Sequence, residues 1–168
     1  FYKNTHIQLG DIFFKQKRHG KDNNFFLCWK FRTMTFDKRA EFKQATKNDN
    51  RITKIGAILR KTSIDEIPQF INVFLGDMSV VGPRPHPIKL NEEFQPKIDR
   101  FWQRHAVIPG ITGLAQAKGF RGETVELSDM SGRVKLDRFY VKNWSLILDL
   151  KIILLTALSI IKGDQNAY

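Results

Sequence analysis

The sequence predicts an α+β fold: a single compact domain over residues 1–168, with several helices around a small β-sheet or hairpin. Three observations carry this. Strand-like alternation bounded by turn residues is confined to the first third of the chain. Apolar residues at helical spacing recur after residue 51. No internal repeat, linker or compositional break divides the sequence.

The segment "DIFFKQKRHGKDNNFFLCWKFRTM" (11–34) predicts two strands, around Phe13–Lys17 and Phe25–Arg32, with the turn supplied by Gly20 to Asn24. Residues 37–50 are polar and unpatterned, as in a surface loop or short exposed helix. The run "RITKIGAILRKTSIDEIPQFINVFLGDMS" places Ile55, Ile58 and Leu59, then Ile67, Phe70, Ile71 and Phe74, at helical spacing. A stiff segment, "VVGPRPHP", follows. Residues 88–106 read as helix that Pro96 should end or kink. "VIPGITGLAQAKGFRG" is loop and short strand, and Glu123 to Asn143 a mostly polar helix.

The last element, "NWSLILDLKIILLTALSIIKG", is aliphatic but interrupted by Asp149 and Lys151. Its uninterrupted apolar run falls short of the ~20 residues a spanning helix needs. On a helical wheel Ser145, Asp149, Thr156 and Ser159 share one side, with Lys151 and Lys162 at its edge. Two readings stand, a buried core helix or an amphipathic helix at a membrane interface anchored by Trp144 and the lysines. The predicted fold includes the second.

Lysine and arginine number 28 against 17 acidic residues, a formal charge of +11. Such an excess favours an anionic partner: nucleic acid, an anionic membrane surface or phosphorylated substrates. A single cysteine, Cys28, excludes an internal disulfide and suits a reducing compartment. His6, His19, His86 and His105 lack metal-ligand spacing.

Against this basic background "TSIDEIPQ" (62–69) sets two carboxylates side by side, Asp65 and Glu66. Ser63-Ile64-Asp65-Glu66 matches a capping box, with Ser63 as the cap. Pro68 argues against that register, because it would be the fifth helical residue and its missing N–H would be needed. A helix starting near Asp65 puts Pro68 in the first turn, where no N–H is required, and the carboxylates at the helix mouth. Lys54, Arg60 and Lys61 lie upstream and would keep Asp65 ionised. An ionised carboxylate beside bound phosphate can act as nucleophile or magnesium ligand. Arg84, fixed between Pro83 and Pro85, offers a guanidinium fork that matches a phosphate. Lys30 and Arg32 alternate on a predicted strand and would share a face. "PGITG" and "KGFRG" are glycine-bearing loops that could approach phosphate but lack the P-loop pattern.

Taken together, "FFKQKRHGKD", "WKFRTM", "DNRITKIGAILRKTSIDEIPQFINVFLGDMSVVGPRP", "PGITGLAQ" and "DLKIILLTALSIIKG" resemble the bacterial sugar transferases, the monotopic polyprenyl-phosphate phosphoglycosyl transferases. "GFRGET" and the "NAY" terminus look most like the members that transfer glucose phosphate to undecaprenyl phosphate. The resemblance implies transfer of a sugar-1-phosphate from a UDP-sugar to polyprenyl phosphate with release of UMP, at the cytoplasmic face of a bacterial inner membrane, opening exopolysaccharide or other surface-glycan synthesis. It implies that Asp65 forms a covalent phosphosugar intermediate and that Glu66 helps it hold Mg2+ and the phosphates. Arg60 and Arg84 match phosphate-binding positions, Arg121 is a third, and Lys30 and Arg32 are nucleotide contacts.

Family members carry a hydrophobic membrane hairpin ahead of the first strand, so a chain beginning at Phe1 reads as a catalytic fragment. They commonly have a basic residue where this chain has Ile108, and Gly-Pro where it has Gly10-Asp11. The resemblance leaves self-association into a homo-oligomer open. The rival reading is a basic nucleic-acid- or membrane-binding module without catalysis; the absence of any nucleic-acid motif and the apolar last helix weigh against nucleic acid.

Overall fold

In the computed structural model, residues 11–35, 43–46, 49–120, 122, 124 and 126–162 are described, Ile161 by its backbone alone. Alternation produces the first element: β1 (Phe13–His19) and β2 (Phe25–Phe31) form an antiparallel hairpin in register from Phe13–Phe31 to His19–Phe25. A single 3-10 turn, Lys21–Asn23, closes it within the predicted turn. Period two sends Phe26 and Cys28 to the buried face of β2, and with them Lys30.

The central run divides into α1 (Lys54–Lys61), a 3-10 turn over Ile64–Glu66, and α2 (Gln69–Phe74). Both expected registers around Ser63 are thereby corrected. Ser63 adopts the left-handed conformation, φ 57°, and makes no side-chain cap bond. Such a residue cannot serve as the extended N-cap that a capping box requires. Nor does a helix begin near Asp65: Pro68 is itself the N-cap of α2, where its missing N–H costs nothing. The carboxylates stand on a tight connection between two helices, not at a helix mouth. Asn72, wholly buried in α2, ties that helix to β2, accepting from the Trp29 N–H (3.0 Å) and donating to the Leu27 carbonyl (2.8 Å).

Strands β3 (Ser79–Val81) and β4 (Gly110–Thr112) pair in parallel. Two glycines permit the close approach: a Cβ on Gly110 would lie 2.1 Å from the Gly82 nitrogen, and one on Gly82 2.6 Å from the Ile108 carbonyl oxygen. The glycine of "PGITG" thus serves backbone packing. Between these strands come α3 (Ile88–Phe94) and 3-10 turns at Gln95–Lys97 and Phe101–His105, so the expected break at Pro96 is observed. α4 (Leu114–Ala117) leads to α5 (Leu127–Lys142), which starts later than Glu123. Its N-cap is Glu126, whose N–H donates to the Asp129 carboxylate (3.1 Å).

Three small cores hold these pieces. Leu90, Phe94, Phe101, Met130 and Val134 join α3 to α5. Val81, Leu114, Tyr140 and Ile152 seat α6 (Leu146–Lys162) on the parallel strands. Phe26, Cys28 and Met78 close the hairpin onto α2. The helix α6 is built inside out for a soluble protein. Asp149 accepts from the Tyr140 hydroxyl (2.8 Å) and the Trp144 indole N–H (3.1 Å), and Thr156 hydrogen-bonds Thr112 (2.7 Å), so polar residues face the domain. Leu146, Ile147, Leu150, Ile153, Leu154, Leu158 and Ile160 are exposed, Ile147 by 79%. The buried-core reading fails, since Ile152 is the one fully buried side chain among the described residues of α6. No helix among the described residues is long and apolar enough to cross a membrane.

Burial of His19, His86 and His105 should make the fold acid-sensitive. Burial, reinforced by the Arg104 charge, pushes His105 down to about 3, and burial with the surrounding arginines holds His86 well below the ordinary imidazole range. Folding therefore excludes protons that the unfolded chain binds below about pH 6.5. The stabilisation is complete above that pH and is lost as pH falls toward the folded values. From pH 7 to pH 5 His105 alone should cost about 2 kcal/mol. Denaturant titrations at both pH values check this: His105→Gln should flatten the slope, and an unchanged slope would contradict the assignment.

Candidate active site

The site assembles where the 3-10 turn of residues 64–66 meets β2 and the proline-rich segment after β3. Glu66 lies at its centre. Lys30, delivered by strand alternation, donates to Glu66 Oε1 at 2.6 Å. Arg84 forks the same carboxylate, through Nη2 to Oε1 and through Nη1 to Oε2, the latter at 3.1 Å. Burial alone would raise Glu66; the charges and hydrogen bonds of Arg84 and Lys30 outweigh it and hold the carboxyl well below the usual range. The guanidinium of Arg84 is correspondingly raised by Glu66 against the effect of burial.

Asp65 is treated oppositely. It is buried, 8% exposed, and makes no hydrogen bond or ion pair among the described residues. Its carboxyl is pushed up by burial; Lys30 opposes, the Glu66 charge adds, and Arg84 and Arg60 oppose. The upstream cations therefore do not set its protonation on their own, as the sequence had suggested: desolvation prevails. Adjacent carboxylates thus divide the work, one locked in a double ion pair and the other unengaged in a field of three cations.

Of the sequence-predicted residues, Asp65, Glu66, Lys30 and Arg84 come together, and Arg60, in the last turn of α1, contributes to the field at Asp65. Arg32 does not join them through its side-chain hydrogen bonds. β2 ends at Phe31, and the Arg32 guanidinium turns to the Asp11 carbonyl (2.6 Å). Arg121 lies outside the described residues.

The donors would suit a magnesium ion that keeps non-protein ligands better than a protein-only cage. Asp65 offers uncommitted oxygens, whereas both Glu66 oxygens are engaged, and no group of three or more histidine, cysteine or carboxylate ligands exists among the described residues. Magnesium commonly takes one or two carboxylates, substrate phosphates and waters.

Sequence reasoning missed what holds Arg84. Three prolines, Pro83, Pro85 and Pro87, remove N–H donors from this segment, so its carbonyls need partners from elsewhere. Gly110 N–H donates to Pro83 (3.0 Å), Arg104 to the Arg84 carbonyl (2.6 Å), and Arg18 to Pro85 (2.7 Å). Arg18, in the inward row of β1 opposite Phe26, could have been noticed as a cation at a core position.

Comparison with known proteins bears on this arrangement. The profile described as bacterial sugar transferase matches residues 4–163. The chain belongs to the bacterial sugar transferase family. It is 49% identical over 161 residues to a UDP-glucose:undecaprenyl-phosphate glucose-1-phosphate transferase of Xanthomonas campestris pv. campestris, covering 95% of this chain and 33% of that protein. A Klebsiella pneumoniae protein of the same name is 50% identical over 162 residues, covering 95% and 34%. A UDP-N-acetylgalactosamine-undecaprenyl-phosphate N-acetylgalactosaminephosphotransferase of Aeromonas hydrophila is 39% identical over 155 residues, covering 92% and 36%. The chain spans about a third of the length of these relatives.

Proposed function

We propose that this bacterial sugar transferase moves a hexose-1-phosphate, glucose in the favoured case, from a UDP-sugar to undecaprenyl phosphate, releasing UMP. The observation that carries the reading is the unengaged, desolvated Asp65 beside a paired Glu66. A carboxylate largely withdrawn from water and free of hydrogen bonds is a better nucleophile than a fully solvated one. Lys30, Arg84 and Arg60 offset its charge and draw in the diphosphate.

In the proposed step an Asp65 oxygen bonds to the phosphorus that carries the sugar, and the phosphoanhydride bond to UMP breaks with its electron pair leaving on UMP. An oxygen of undecaprenyl phosphate then attacks the same phosphorus and breaks the Asp65–phosphorus bond. The carboxylate is regenerated and a lipid diphosphosugar leaves. Arg84 and Lys30 keep Glu66 ionised and fixed, while a magnesium ion held by Asp65, and by Glu66 only on displacing a cation, would neutralise diphosphate charge. Such a product would begin exopolysaccharide or other surface-glycan assembly. Nucleotide identification tests the reading: full-length protein in lipid with UDP-glucose and undecaprenyl phosphate should release UMP, and release of UDP would contradict it.

The second substrate is a lipid, and the outward aliphatic face of α6 supports docking at the cytoplasmic face of the bacterial inner membrane. Trp144, Lys151 and Lys162 are exposed at its polar margins. Each large aliphatic side chain removed from water contributes about 1.5–3 kcal/mol at most. A fluorophore on Ile147→Cys or Leu154→Cys should be quenched several-fold by brominated lipid; labels that remain fully water-accessible would contradict the orientation.

A further inference from the structure

We propose that Arg104 is a positioning residue for Arg84, acting through the backbone of the proline-rich segment, with His86 and Asp137 as the groups that aim it. The proposal rests on the reading of Arg84 and Glu66 as part of the transferase site. Arg104 is 1% exposed and lies in the 3-10 turn Phe101–His105, remote in sequence from its hydrogen-bond partners. Its guanidinium donates to three acceptors: the Arg84 carbonyl (2.6 Å), His86 Nδ1 (2.6 Å) and the Asp137 carboxylate (2.7 Å).

The consequence follows from the local sequence. Pro83 and Pro85 fix their own φ, and Pro85 restricts Arg84 to extended backbone, leaving the Arg84 φ as the principal freedom there. Rotation about φ swings the Arg84 carbonyl and side chain together, so the hydrogen bond from Arg104 to that carbonyl restrains both. With the backbone fixed, the side chain needs only its own rotamers to reach Glu66, which lowers the entropic cost of the fork.

Arg104 is itself aimed from two sides. Asp137, on α5, supplies the counter-charge at 2% exposure, and His86 accepts through Nδ1, which requires the neutral tautomer protonated at Nε2. His86 belongs to the same proline-rich segment as Arg84, so the one guanidinium grips that segment at residues 84 and 86. This accounts for a histidine that has neither metal-ligand spacing nor a place at the carboxylates.

The test uses full-length protein in lipid nanodiscs, a UDP-sugar that the wild type accepts, and single-turnover UMP release. Arg104→Lys should lower the rate about 10- to 100-fold, as for a catalytic group displaced by about 1 Å. In an Arg84→Ala background the same change should cost less than about twofold, because nothing remains to be positioned. Equal losses in both backgrounds would overturn the proposal. His86 gives a milder pair. His86→Asn restores an acceptor near Nδ1 and should keep about half the rate, whereas His86→Leu should lose about tenfold; equal rates for the two would count against the role. Structures of these two variants decide the matter without turnover. Arg84 should stay forked on Glu66 with asparagine and leave it with leucine. An Arg84 unmoved in both would overturn the positioning role, even if no sugar donor proves active and the transferase reading itself falls.

Discussion

Replacing Asp65 by asparagine should abolish turnover, lowering UMP release by about 10^4-fold or more, the scale seen when a covalent nucleophile is removed. The amide oxygen has the shape of the carboxylate but not the charge that attacks phosphorus. Loss of folding should not confound the result. Asp65 makes no hydrogen bond or ion pair among the described residues, so no partner there is orphaned. Its folded carboxyl is raised, first by burial. The ionised form is thus less favoured in the folded than in the unfolded chain, and at neutral pH it destabilises the fold. Asp65→Asn should melt at the wild-type temperature or slightly above. An inactive protein of undiminished stability is the expected signature; retained turnover would remove Asp65 from the mechanism.

Glu66→Gln should fail on both counts. Glutamine offers Lys30 and Arg84 one neutral oxygen in place of a charged, forked acceptor. Removing one partner of a buried ion pair costs about 3–5 kcal/mol, and the partial exposure of Lys30 and Arg84, 19% and 31% of their side chains, reduces this to about 1–3 kcal/mol. Turnover should fall about 10^2-fold, since Arg84 loses the contact that orients it. The pH dependence has a definite sign. Glu66 is held below its unfolded value, so its stabilisation is complete above about pH 4.5 and is lost as pH falls through the folded value. Wild type and variant should differ in chemical denaturation at pH 7 and converge in acid. A variant as stable as wild type at neutral pH would show that the double ion pair does not stabilise this site.

What the sequence made legible depended on how local the physics was. Lys30 was readable because period-two alternation carries it to the face of Phe26 and Cys28; Arg32 lies one residue past the end of β2, where its guanidinium goes to the Asp11 carbonyl and over the Phe14 ring. Pro68 pointed correctly away from a cap at Ser63. The left-handed φ of Ser63 had no signal in a residue type that seldom adopts it, so the true helix start at Gln69 was missed. The parallel pairing of Ser79–Val81 with Gly110–Thr112 was hidden by strands of three residues, too short to show periodicity. Arg104 and Asp137 are 33 residues apart on elements with no common pattern, and only the folded chain brings them together. The outward aliphatic face of α6 was legible as composition. Which side faced the domain was settled by Asp149 and Thr156, whose partners Tyr140 and Thr112 lie elsewhere in the sequence.

The most direct test of Asp65 as nucleophile is the intact mass of full-length protein incubated with magnesium and UDP-glucose in the absence of undecaprenyl phosphate. The expected product is a protein heavier by one hexose phosphate, with UMP released in equal amount and the adduct on the peptide containing Asp65. Undecaprenyl phosphate should then discharge it. Unmodified protein with UMP appearing only once the lipid is added would contradict that role, and would point to direct transfer between the two substrates.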